Sequence, residues 1–253
     1  MERTYRRPRD AADLRRPGRL PGALLAYAVA LAAFLLIPPT LKPTVGPPTA
    51  FTLQEAVDLL TPLAVLPIAW LVLEIAGGLG GWRTVAFVAI AAVWAQAQGL
   101  HLGSNAIGDA FVAGPPRDAF YATEAGDLDH FLDEGLSHWL WHLAWAALSI
   151  VMLWAGAGKR AWPTGAGGWI SGAAGLIHGL TFFFVTAEGE TSALGIPLSL
   201  VLLAWGGREA LRGSTNPLVR FFLVSSIATL LADLAWAALH GWQLVEPCSV
   251  LHC

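Results

Sequence analysis

Seven stretches of this chain are each apolar over a length close to that of a bilayer span, and this limits the fold more than any other feature. The first runs from Leu24 to Ile37 and is closed by Pro38 and Pro39. The others cover about 56–77, 83–103, 130–156, 165–186, 192–206 and 218–243. A helix needs roughly 20 residues to cross the hydrocarbon core. Inside lipid every backbone N–H and C=O must be bonded within the protein, which a helix achieves within its own segment. Only 13% of the residues are charged, against roughly 25% in a soluble domain, and the mean hydropathy is +0.57. Such a chain cannot cover its own surface in water. The expected fold is an all-α integral membrane protein, a bundle of about seven transmembrane helices whose partner is the lipid bilayer and not nucleic acid.

Gly and Pro mark the joints: Gly77 to Gly81, Pro115-Pro116, Gly156 to Pro163, and Gly206-Gly207. Residues 1–20 read as a basic, disordered cytoplasmic tail, 21–245 as a single seven-helix domain and 246–253 as a short external tail. A basic tail before a short apolar run also describes a signal peptide, but no small-residue cleavage site precedes Pro38, which favours an uncleaved first helix. No internal repeat is visible. Orientation follows from charge. With the N-terminus inside, thirteen Lys and Arg lie on the inner side (seven in the tail, then Arg83, Lys159, Arg160, Arg208, Arg212 and Arg220). Only Lys42 and Arg117 lie outside, a strong positive-inside bias. Most acids fall the other way. The C-terminus is then outside, with Cys248 and Cys253 in an oxidising compartment if the host is a bacterium. The expected location is a cell membrane, the inner one in a bacterium.

Under this topology all seven histidines lie in the outer half of the membrane or beyond it. His130, Glu134, His138 and His142 are four residues apart, so on a helix they share one face. The third span ends in a similar stripe, Gln98, His101 and Asn105. Polar groups in lipid must turn inward and pair, so the two stripes are expected to face each other. By helical rise, about 1.5 Å per residue, His142, His178 and Asp233 share one depth.

Two histidines at i and i+4 can bind one metal ion. His138 and His142 have that spacing, and His101 or His178 would add a third nitrogen. The expected ion is divalent, zinc first, with iron or copper as alternatives. Such an ion lowers the pKa of its bound water toward roughly 7 and polarises a carbonyl or phosphoryl group. Glu134 or Asp133 would act as general base. Asp233, an acid in the middle of the last span, is a functional candidate by position and could orient a ligand histidine. Gln98 and Asn105 read as helix-end hydrogen-bonders without a site role. The stretch from Ser104 to Asp129 reads as a long outer loop able to cover the site. A bare His-x-x-x-His also recurs by chance, and the same groups can serve only as hydrogen bonds between helices.

In kind, these ingredients resemble the seven-helix metal hydrolases of the alkaline ceramidase and adiponectin receptor group, which place Ser, Asp and several His around zinc. The matching element is His138 with His142. In that group the pair lies in the last helix and here in the fourth, and no continuous stretch matches, so no residue role is carried over. The leading expectation is a metal-dependent membrane hydrolase acting on a lipid or amphipathic substrate near the outer interface. Two others stand beside it: a metal-ion or proton transporter or channel, and a redox protein holding haem between two histidines.

Overall fold

A computed structural model describes residues 17–41, 52–112, 117–158, 167–245, 247 and 250. The basic tail up to residue 16 and the terminal Cys248, His252 and Cys253 lie outside the described residues. The protein is all-helical, without a strand among the described residues. Seven helical stretches are long and apolar enough to cross a membrane: Leu20–Thr40, Leu53–Ile75, Trp82–Gly108, Glu124–Gly156, Gly167–Glu188, Ser192–Leu211 and Pro217–Leu239. They are called the first to seventh spans below.

Local chemistry explains where they start and break. Thr52 and Glu55 form a capping box that opens a short helix, Leu53–Asp58. The second span then restarts at Thr61–Ile75, with proline in its first turn. Asn216 caps the seventh span through its side-chain oxygen, which accepts from the Leu218 N–H at 2.9 Å. Its amide also donates to the Gly156 carbonyl at 3.1 Å, tying the fourth span to the seventh. The sixth run reaches Leu211 and carries Pro197 within the helix.

The fifth span is the centre of the bundle, packed on the first and seventh. Small residues allow the close approach: a Cβ at Gly175 or Gly179 would overlap the Phe221 or Ser225 carbonyl of the seventh span. The third span packs along the fourth.

One end of the bundle is basic. Arg83 lies over the rings of Trp82 and Trp154 at 6.0 and 5.6 Å, and Arg212 pairs with Glu209 at 3.3 Å. The other end holds the histidines, where the third span finishes and the fourth begins.

Two expectations change here. The stretch from Ser104 to Asp129 is not a long loop: the third helix continues to Val112, and short helices follow at Arg117–Tyr121 and Glu124–His130. Polar residues in this stretch read as loop, but they sit on helical turns against Tyr121 and the start of the fourth span. The fourth span is also not one uniform α-helix. Phe131–Ser137 is a π-helical segment between Glu124–His130 and His138–Gly156. Its i→i+5 bonds put an extra residue into the turn, so the four-residue stripe does not reach His130. That residue is exposed, and its ring faces Tyr121 at 6.4 Å.

Candidate functional site

The polar stripes of the third and fourth spans do meet. His101 Nδ1 lies 2.6 Å from Asp133 Oδ1. The rings of His101 and His138 are 5.1 Å apart, and those of His138 and His142 are 5.9 Å apart and stacked. The three rings therefore stand in file, from the edge of the bundle inward. His142 has no exposed surface.

Each of the three has a side-chain oxygen beside its Nδ1. Asp133 Oδ1 stands at ion-pair distance from His101 and Glu134 at 3.3 Å from His138, neither in hydrogen-bond alignment, while the Thr191 hydroxyl bonds His142. The π-helical turn makes the first two contacts possible together, because it aims successive carboxylates at histidines on different helices. The Thr191 hydroxyl donates to the Thr186 carbonyl at 3.4 Å, so it accepts from His142. On this assignment His142 carries its proton on Nδ1, and its Nε2 presents a lone pair. That Nε2 is buried without a hydrogen-bond partner. The amide of Asn105 sits 3.1 Å from His101 Nε2 and donates to it.

The three rings and Glu134 line a cavity of about 240 Å³. Gln54 and Asp58, one turn apart on the capped helix, join its wall, as do Gln98 and Asn105. Leu35 and Pro39 of the first span and Phe184 and Val185 of the fifth form an apolar side. A second cavity of about 410 Å³ lies alongside, lined by Tyr121, Asp127, His130 and Asp133. Asn105 and Glu134 belong to the lining of both. Gly189 closes the first cavity at the end of the fifth span. A Cβ there would come 2.8 Å from His142 Cε1 and 3.0 Å from His138 Nδ1.

His178 is not part of this group. Its Nε2 accepts from the Trp145 indole at 3.0 Å, which leaves Nδ1 to donate to the Ser225 hydroxyl at 2.8 Å. Both nitrogens are committed, and the ring is packed among Tyr27, Phe221 and Phe222. The depth match expected with His142 brings no contact: Trp145, one turn further along the fourth span, stands against His178 instead. Asp233 is likewise apart. It is buried at 5% exposure, neither carboxylate oxygen has a hydrogen-bond partner, and it lines neither cavity.

Among the described residues, no group of three or more His, Cys, Asp or Glu is arranged to hold a metal ion. His101, His138 and His142 have suitable donor chemistry, but Asn105 covers the free nitrogen of the first. No family model, no curated protein and no solved structure matches this chain.

Residues that the sequence reading left without a role therefore matter: Asp58, Gln98, Asn105, Gly189 and Thr191. The Thr52–Glu55 capping box and the polar run from Thr186 to Ser192 were the available signals.

Proposed function

We propose that this is a multi-pass membrane protein with the basic end cytoplasmic, and that its histidine end is the site of a metal-dependent hydrolase acting on a lipid or amphipathic substrate. His101, His138 and His142 would hold the ion through Nε2. The observation that carries this reading is the oxygen beside Nδ1 of each ring, from Asp133, Glu134 and Thr191, which at His142 is a hydrogen bond. Ligand histidines generally donate their other nitrogen to a carboxylate or oxygen in this way, which fixes the tautomer and raises ligand basicity. The buried, unpartnered Nε2 of His142 is the second support.

When bound, a zinc ion would supply a water of lowered pKa and a Lewis acid for a carbonyl. The protein's own residues do the rest. Thr191 fixes the ring of His142, and Asp133 places a carboxylate beside that of His101. Glu134, half exposed and shared by both cavities, is placed to accept a proton and release it toward the second cavity. Asn105 must turn away from His101 before that nitrogen can ligate. Neither His178 nor Asp233 has a part in this scheme.

The test is elemental analysis of detergent-purified wild type beside a His138→Ala, His142→Ala double variant. About one zinc, iron or copper per wild-type chain, lost in the variant, is expected. A metal-free wild type, purified without chelator and still metal-free after zinc is added, refutes it. The file of three rings ending at Asp133 then supports the second reading, a proton-carrying transporter or channel.

A further inference from the structure

The first cavity carries carboxylates on its polar side. Asp58, Glu134 and Glu188 line it, and no Lys or Arg does among the described residues. Asp133 adds a carboxylate behind His101. A divalent ion on the histidines would offset only part of this charge. Such charges, set beside an apolar wall, act on whatever enters. A phosphate, sulfate or carboxylate head is therefore repelled.

Two further lining groups lack partners and are unused by the metal reading. The amide oxygen of Gln98 (3% exposed) and the indole N–H of Trp141 (8% exposed) are both buried without a hydrogen bond. A buried polar group left unpaired costs about 1–3 kcal/mol. The first group requires a donor and the second an acceptor, so a fitting head carries both. The opposite side, with Leu35, Phe184 and Val185, suits the start of a hydrocarbon chain. The volume, about 240 Å³, equals that of roughly eight waters at about 30 Å³ each. That holds a small head and a few carbons, and not a bulky two-chain headgroup.

We infer that the cavity takes the head of a single-chain cationic amphiphile, a protonated amine with an oxygen beside it, and excludes anionic amphiphiles of the same length. This rests on reading the cavity as the substrate site. The amine donates to Gln98 and neutralises the carboxylates, the oxygen accepts from Trp141, and the chain leaves along the apolar side.

The experiment is equilibrium binding of radiolabelled N-dodecylethanolamine to the full chain in phosphatidylcholine nanodiscs, with dodecanoate and dodecanol as comparisons. Saturable binding near one per chain is expected, at least tenfold tighter than either comparison. Asp58→Asn and Gln98→Leu should each weaken it at least fivefold without lowering the thermal midpoint, and His240→Ala should leave binding unchanged. Two substitutions guard against one failing to fold. Equal or tighter binding of dodecanoate or dodecanol overturns the inference, and so does amine binding that ignores both variants. Metal measured on the same samples separates the two proposals. Metal without amine preference removes this inference alone, whereas amine preference without metal removes the hydrolase and leaves the amphiphile site.

Discussion

Gly189→Ala adds one carbon at the point where the fifth span meets two of the histidines. The new Cβ would lie 2.8 Å from His142 Cε1 and 3.0 Å from His138 Nδ1. Ordinary carbon contacts lie at about 3.5–4.0 Å, so the rings or the turn must move by roughly half an ångström or more. The His142 ring cannot yield freely, because Thr191 holds it by the nitrogen that fixes its orientation, and the His138 ring has Glu134 at 3.3 Å from the same nitrogen. Overpacking of this kind costs about 1–3 kcal/mol, and disturbing the partners of ligand histidines costs about 10–100-fold in metal affinity. Gly172→Ala is the control, since a Cβ there meets nothing within 4 Å. The assay is competition of each purified variant with a graded zinc chelator, alongside thermal unfolding in detergent. Gly189→Ala should lose affinity by at least tenfold and unfold earlier, while Gly172→Ala matches wild type. Unaltered zinc affinity in a folded Gly189→Ala protein would refute the reasoning, because the close approach would then have no bearing on the rings.

Thr191→Val keeps the shape but removes the hydroxyl that holds His142, and zinc affinity should fall about 10–100-fold in the same chelator competition. His178→Phe strips partners from the Trp145 indole and the Ser225 hydroxyl, at about 1–3 kcal/mol for each group left unpaired; the thermal midpoint should drop while metal per folded chain stays at the wild-type value. Asp233→Asn removes a carboxylate buried without a partner, so the midpoint should hold or rise with metal content unchanged. Loss of metal in either of these last two would return that residue to the site.

The sequence alone determined the helical class of the fold and the end of the bundle where the His101 and His138 stripes gather. Seven apolar runs with Gly and Pro between them leave the backbone no option in lipid but helices, because no water is present to satisfy an open N–H or C=O. The same logic made the pairing of His101 with the His138 helix legible, since two polar stripes in apolar spans must find each other. Tertiary structure decided the membership of the site. Sequence spacing assumes a uniform α-helix, and the π-helical turn at Phe131–Ser137 breaks that assumption, taking His130 out and directing Asp133 to His101. Depth along the chain put His178 and Asp233 level with His142, but level is one coordinate of three. Which helix lies beside which is fixed by packing, here by Gly175 and Gly179 drawing the fifth span onto the seventh. Asp58 and Gly189 reach the cavity, and Thr191 reaches His142, only through the packing of separate spans, far from the histidines in sequence, so spacing along the chain could not join them.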